Sequence, residues 1–238
     1  MQKKNKIRLI WIATCLALFI VLSVLTFADV VQSADDMFFN WAASVRSSGM
    51  TTFMRGTSLT VKAWFSLLVL FILVIIPHTR WFAFPAGLAA GIAFITRTLI
   101  KPIFGRSRPD VWDYVPNSAE SYPSGHTLGA TAFYFTIAIL LFMLVKKHKW
   151  IIALIAFSFF MPLMIGISRV YLGAHFGTDV AASWILGTAI AFLAIMIWEF
   201  SEKTLAKFPK FARIHNFFFS KKYMCLGKED LTPDHNNS

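Results

Sequence analysis

The stretch PSGHTLGATAFYFTIAILLFMLVKKHKWIIALIAFSFFMPLMIGISRVYLGAHFGTD, residues 123–179, decides how this chain is built. It contains two apolar runs, Thr127–Val145 and Trp150–Ile167, each close to the ~20 residues that a membrane-spanning helix needs. Between them lies Lys146-Lys147-His148-Lys149, a short charged turn suited to a membrane surface. Two crossings bring the chain back to the face it left. Pro123-Ser124-Gly125-His126 and Ser168–Asp179, which flank the pair, therefore share one face.

The same pattern repeats on either side. Four further runs, Ile7–Ala28, Leu59–Pro77, Phe82–Ile100 and Val180–Trp198, have spanning length. The sequence thus predicts an all-α bundle of six transmembrane helices over residues 1–200, followed by a basic tail, 201–238. Lys62 and Arg97 interrupt two runs near an end, where a long side chain can reach the interface. Composition agrees: 57% of the 238 residues are hydrophobic and only 15% charged, against about 25% charged in a soluble domain. Asp29–Ser58 fits either short interfacial helices beside a substrate entrance or a plain surface connector.

The net charge of +11 is spread in patches between apolar runs rather than on one soluble face, which argues against nucleic acid as a partner. Cys15 and Cys225 lie too far apart in this topology to form a disulfide. The first run follows Lys3, Lys4, Lys6 and Arg8, and its ~20 apolar residues exceed the ~7–15 of a signal-peptide core, so a retained anchor is expected. With the N-terminus in the cytoplasm, the inner segments hold Lys3, Lys4, Lys6, Arg8, Arg80, Lys146, Lys147, Lys149 and the seven basic residues after Lys203 inclusive. That majority of the 23 Lys and Arg places both termini in the cytoplasm and the two motif segments outside.

Those segments carry the chemistry. Charged groups at membrane depth are costly and mark function, and here Lys101, Arg108, His126, Arg169, His175 and Asp179 occupy three short stretches. Lysine and arginine neutralise phosphate oxygens, arginine with a planar fork that grips two at once. Ser124 and Gly125 precede the fourth apolar run, where free N–H groups at a helix start favour an anion and glycine permits close approach. His175 and Asp179 are four apart; on a helix the carboxylate would fix the imidazole tautomer and leave the other nitrogen to attack phosphorus. His126 is then suited to protonate the departing oxygen. The readings point to a membrane site for a phosphorylated ligand.

The three segments resemble the tripartite signature of the type 2 phosphatidic acid phosphatase superfamily, which also includes vanadium-dependent haloperoxidases. Lys101-Pro102-Ile103-Phe104-Gly105-Arg106-Ser107-Arg108-Pro109 has the family's Lys, six residues, Arg-Pro spacing; Pro123-Ser124-Gly125-His126 is the second block, and Ser168–Asp179 fits the third. The resemblance implies a metal-independent phosphatase, without cofactor, working through a phosphohistidine on His175. It further implies that Asp179 orients His175, that His126 is the general acid, and that Lys101, Arg108, Ser124, Gly125 and Arg169 cradle the phosphate. The six spans and outward site are similar to bacterial relatives that act on phosphatidylglycerophosphate and undecaprenyl pyrophosphate. The expected partners are therefore lipid phosphate monoesters or diphosphates and membrane lipid; the headgroup and the oligomeric state stay open. Competing readings are a haloperoxidase, disfavoured by six spans, and a metal site on His126, His175 and Asp179, opposed by three nearby cations. A non-catalytic lipid-phosphate receptor or carrier is the third.

Overall fold

A computed structural model describes residues 2–60, 63–77, 79–109, 120–144 and 149–219. These residues form nine α-helices and no strand: α1 (Gln2–Phe27), α2 (Gln32–Ser44), α3 (Ser48–Leu59), α4 (Ala63–Ile75), α5 (Arg80–Phe104), α6 (Gly125–Leu144), α7 (Lys149–Tyr171), α8 (Gly177–Leu205) and α9 (Ala212–Phe219). Five of them, in α1, α5, α6, α7 and α8, are long and apolar enough to cross a membrane.

The helices stop where the local chemistry changes. Gly105 adopts the left-handed region (φ 56) and closes α5 by donating its N–H to the Lys101 carbonyl at 3.0 Å. Gly173 (φ 68) ends α7 in the same way, with Ala174 N–H returning to the Arg169 carbonyl at 3.0 Å. Ser47 caps α3, accepting the Met50 N–H at 3.2 Å.

Burial separates inner from outer helices. The spans of α6 and α8 are 61% and 56% buried, whereas those of α1, α5 and α7 are only 22%, 28% and 28% buried, so α6 and α8 form the centre. The outer helices turn Leu9, Trp11, Phe94, Leu99, Phe157 and Phe160 outward. Apolar exposure on that scale is tolerable in lipid and would aggregate in water. The central contact is built on small residues: Ala89 and Ala93 of α5, Ala132 of α6, and Ala182 and Ala194 of α8 are all buried. Small side chains let spanning helices approach closely where lipid supplies no hydrophobic drive between them.

Each end of the bundle has its own lock. At one end Arg8 of α1 grips Glu199 of α8 at 2.7 and 2.9 Å, and Trp81 meets Trp198 edge-on at 4.4 Å. At the other, α2 and α3 fold over α7, with Ala42, Met54, Tyr171 and Leu172 buried together.

The spans depart from the expected limits mainly by lengthening. Expected runs Phe82–Ile100, Trp150–Ile167 and Val180–Trp198 stop short of the helices by about a turn or more at the functional ends. Lys101, Arg169 and Asp179 therefore stand on helices rather than in loops. Charges end a hydropathy run, but they do not interrupt backbone hydrogen bonding. The expected second span, Leu59–Pro77, is represented by α4, whose 13 residues reach only about 20 Å. Even so, Ser58 bonds Ser168 at one end of the bundle and Trp81 packs at the other, so the chain between them traverses its thickness. Lys62 lies outside the described residues. Asp29–Ser58 forms two short helices, and the expected 200/201 boundary falls inside α8. Beyond α8, α9 folds back on α5, with Phe218 6.0 Å from Phe84 and the Arg80 guanidinium 4.3 Å over Phe217. Cys225 lies outside the described residues, while Cys15 is buried in α1.

Two helix glycines should respond oppositely to alanine. A Cβ on Gly187 would lie 2.6 Å from Thr131 Cβ and 3.2 Å from the Ala132 nitrogen, whereas one on Gly129 meets nothing within 4 Å. Gly187→Ala is expected to destabilise by about 1–3 kcal/mol and Gly129→Ala to be neutral or stabilising by up to about 1 kcal/mol. Thermal melts in detergent distinguish the two.

Candidate active site

The end of α5, the start of α6 and the α7–α8 junction meet at one end of the bundle. After Gly105 the chain leaves α5 and rejoins the bundle at Ser121, whose N–H donates to the Arg106 carbonyl at 2.7 Å. Lys101 Nζ donates to the Glu120 carbonyl across the same join. Arg108 Nη1 donates to the Ala174 carbonyl at 2.9 Å, which fixes this cation beside His175.

Ser124 is fully buried and occupies the position before α6. Its N–H points to the Asp179 carbonyl at 3.3 Å, its own carbonyl accepts from Leu128 N–H at 2.9 Å, and its hydroxyl pairs with Thr127 Oγ1 at 3.0 Å. Next to it, a Cβ on Gly125 would lie 2.9 Å from Arg97 Nη1. Glycine here thus admits a further guanidinium to the start of α6, where helix N–H groups already favour an anion. His126, one residue on, lies in the first turn of α6, within interaction range of Arg169, His175, Arg97 and Arg108.

Arg169 projects from the last turn of α7 and is 9% exposed. Its Nη1 donates to Ser58 Oγ at 3.1 Å, but Nε is buried and has no hydrogen-bond partner among the described residues. A buried cationic N–H without an acceptor is costly, and an anion in the adjacent space would satisfy it.

His175 precedes α8 rather than lying within it, because Phe176 is the extended N-cap (ψ 158). The expected helical His–Asp face is therefore replaced by a capping turn: Asp179, in the first turn of α8, reaches back to accept Phe176 N–H at 3.0 Å. That turn still brings His175 Nδ1 to 3.4 Å from Asp179 Oδ2 and 3.3 Å from Ser121 Oγ. Ser121 also donates to Asp179 Oδ2. The other carboxylate oxygen, Oδ1, receives Arg106 Nη1 at 2.5 Å. His175 is 2% exposed. Burial lowers its pKa from 6.5 to about 4; the Asp179 hydrogen bond and charge oppose that shift, while Arg169 and Arg108 reinforce it. Burial likewise lowers the pKa of Arg108, opposed by Asp179 and Glu120.

All eight residues singled out in the sequence, Lys101, Arg108, Ser124, Gly125, His126, Arg169, His175 and Asp179, belong to this cluster. Five that carry much of its geometry were not singled out: Asp35, Ser58, Arg106, Ser121 and Thr178. Asp35, buried on α2, accepts from Arg106 Nη2 at 2.8 Å and from Thr178 N–H at 2.9 Å. Among the described residues no three His, Cys, Asp or Glu side chains are gathered as metal ligands would be.

Comparison with known proteins agrees with this geometry. The model of the PAP2 superfamily matches residues 82–203, the part of the chain that holds the whole cluster apart from α2 and α3. Phosphatidylglycerophosphatase B of Bacillus subtilis is 31% identical over 194 residues, covering 78% of this chain and 92% of that protein. The chain belongs to the PAP2 superfamily. The undecaprenyl-diphosphatase of Sulfolobus acidocaldarius is 31% identical over 134 residues, 53% of this chain and 60% of the relative. The crystal structure of a transmembrane PAP2-type phosphatidylglycerolphosphate phosphatase from Bacillus subtilis superposes with a TM-score of 0.70 at 28% identity, over 81% of this chain and 96% of that one. The resemblance drawn from the motifs is thus borne out, as is the all-helical membrane fold.

The buried imidazole has a stability signature. Unfolded, His175 takes up its proton near pH 6.5, whereas in the fold it resists protonation until about pH 4. Between those values the unfolded chain binds more protons, so this residue's contribution is fully present above about pH 6.5 and declines as pH falls toward 4. His175→Gln cannot titrate, and its melting temperature should drop less than the wild type's between about pH 7.5 and about pH 5.

Proposed function

We propose that this protein hydrolyses lipid phosphate monoesters or diphosphates through a phosphohistidine intermediate on His175, without a metal ion. The observation that carries the reading is the pairing of two groups. One is His175, buried, neutral near physiological pH and tethered through Nδ1 toward Asp179 and Ser121. The other is Arg169, whose Nε is buried without a hydrogen-bond partner among the described residues. An imidazole held by Nδ1–H presents a lone pair on Nε2, and the unpartnered Nε–H of Arg169 beside it supports an anion there.

In the first step Nε2 forms a bond to phosphorus while the bond to the leaving oxygen breaks, and His126 gives that oxygen its proton. Lys101, Arg108 and Arg169, with the N–H of Gly125 at the start of α6, take up charge on the non-bridging oxygens. Asp179 stabilises the positive imidazole ring that forms. In the second step His126 accepts a proton from water, whose oxygen attacks phosphorus as the P–N bond breaks. Inorganic phosphate leaves and His175 returns to its neutral form.

The substrate class follows from the setting and the relatives. The cluster lies at the ends of spanning helices, and two of the similar proteins are named for phosphatidylglycerophosphate and undecaprenyl diphosphate. The reading extends to sidedness. Arg8, Arg80, Lys203 and Lys207 cluster at the end opposite the site, while Lys101, Arg106, Arg108 and Arg169 are engaged within it. Basic ends stay in the cytoplasm. Both termini, including the basic tail after α8, are then cytoplasmic, and lipid phosphates enter laterally from the outer leaflet.

Purified protein should release inorganic phosphate from phosphatidylglycerophosphate, undecaprenyl diphosphate or phosphatidate, equally well with and without chelator. Comparable efficiency on a small soluble phosphate ester would sink the lipid assignment. His175→Ala should abolish turnover and still bind phosphate. His126→Ala should lose roughly 10²–10⁴-fold, and the deficit should shrink with an activated phenol as leaving group. Wild-type rates from His175→Ala would overturn the scheme.

Sidedness has its own test. In a background lacking both native cysteines, Ser48→Cys at the site end should react with an impermeant thiol reagent on intact cells once any outer barrier is removed. Lys207→Cys should stay protected until the cells are opened. The opposite labelling pattern would invert the proposed topology.

A further inference from the structure

A guanidinium and a carboxylate left to themselves pair fork to fork, with two parallel N–H···O bonds. Arg106 does not do this. Its Nη1 meets Asp179 Oδ1 at 2.5 Å, while Nη2 turns to Asp35 Oδ2 at 2.8 Å. Nη1 also meets the Thr178 hydroxyl at 2.8 Å, and that hydroxyl donates onward to Asp35 Oδ2 at 2.8 Å. Both carboxylates are completely buried. The consequence falls on the second oxygen of Asp179. Oδ2 is left to Phe176 N–H, Ser121 Oγ and His175 Nδ1.

From this we infer that Asp35 is a positioning residue for the His175–Asp179 pair: it holds one arm of Arg106, confines that guanidinium to a single oxygen of Asp179, and so keeps the other oxygen available to His175. Without it, the fork would be free to close on both oxygens and displace the imidazole.

The surroundings are built to fix Asp35 in this place. α2 lies against the start of α8, with Phe38 so close to Gly177 that a Cβ there would be 2.3 Å from its ring. Phe39 meets Phe176 edge-on at 5.4 Å, and the Arg106 guanidinium lies 3.9 Å from the centre of the same Phe176 ring. Asp35 also accepts Thr178 N–H, a free donor in the first turn of α8 whose N-cap, Phe176, offers no side-chain acceptor. A helix cap in trans explains that last bond. It does not explain why the same carboxylate divides the fork of Arg106.

The kinetic arm of the test rests on the phosphatase reading; the spectroscopic arm does not. Asp35→Asn keeps the shape and an acceptor for Thr178 N–H but loses the charge that holds Arg106, and Asp35→Ala loses both. In each variant kcat on a lipid phosphate should fall about 10- to 100-fold, the size of loss seen when partners that orient metal-bound imidazoles are removed, with KM little changed. With the six histidines labelled with ¹⁵N, and His175 assigned through His175→Gln, the wild type should show the Nδ1–H tautomer. Both Asp35 variants should show a mixture. Asp35→Asn with the wild-type melting temperature, wild-type kcat and an unchanged His175 tautomer would overturn the inference, leaving Asp35 as a helix cap only. A wild type that releases no phosphate would sink the phosphatase reading instead, and the tautomer would still decide the role of Asp35.

Discussion

Arg106 reaches Asp35 at 2.8 Å and Asp179 at 2.5 Å, and in doing so ties α2, the segment after α5 and the first turn of α8 into one body. Two buried carboxylates and one mostly covered guanidinium meet at the mouth of a membrane bundle. Desolvating such groups costs several kcal/mol per ion, and the attraction repays it only if the remaining lone pairs and protons find partners. Here they do: Thr178 supplies an N–H and a hydroxyl to Asp35, while Phe176 N–H and Ser121 serve Asp179. The cations proposed to face phosphate stand around this satisfied group rather than inside it. Arg169 is the exception, with a buried Nε that no described residue answers.

The bundle beneath is made to be held from within. Its two central helices carry the start of α6 and the start of α8, the two segments that must keep register for Ser124 N–H to face the Asp179 carbonyl at 3.3 Å. Ser183 pins the same junction, donating to the Asp179 carbonyl at 2.7 Å and lying 3.1 Å from the Ser124 carbonyl. Alanines at the contact of α5, α6 and α8 let these backbones come close, so that polar groups one turn from the surface meet without long side chains. The outer helices carry the lipid-facing bulk. Packing thus occupies the length of these helices and the candidate site their ends.

Much of this was legible in the sequence. The hairpin of residues 123–179 set the parity that puts two motif segments on one face, and the motif residues do converge. What was not legible had weak local signals. Asp35 stands far from Arg106 in sequence and shares no periodicity with it; the available hint was an acidic pair in a chain with only 12 acidic residues, in a setting where a carboxylate needs a partner. Arg106 lies between Lys101 and Arg108, at a position to which the family spacing gives no role. Ser121 and Thr178 looked like ordinary polar residues, since a hydroxyl declares its role only when its neighbours are known. Helix ends were misjudged for a related reason: hydropathy drops where Lys101, Arg169 and Asp179 begin, while the helices continue through them. Arg97, expected only to reach for the interface, instead lies against Gly125.

One small contact reaches further than its size. The bond from Ser121 N–H to the Arg106 carbonyl, at 2.7 Å, joins a residue inside the first motif to one just before the second. The two ends of the intervening chain are therefore anchored on the bundle. Closing such a loop costs only about 0.6 kcal/mol more for each doubling of its length. Beyond Pro109 its length is therefore uncoupled from the positions of Lys101, Arg108 and Ser124. A chain of this design can exchange the residues after Pro109, and with them whatever they contribute to choosing a headgroup, without rebuilding the site proposed to hold the phosphate.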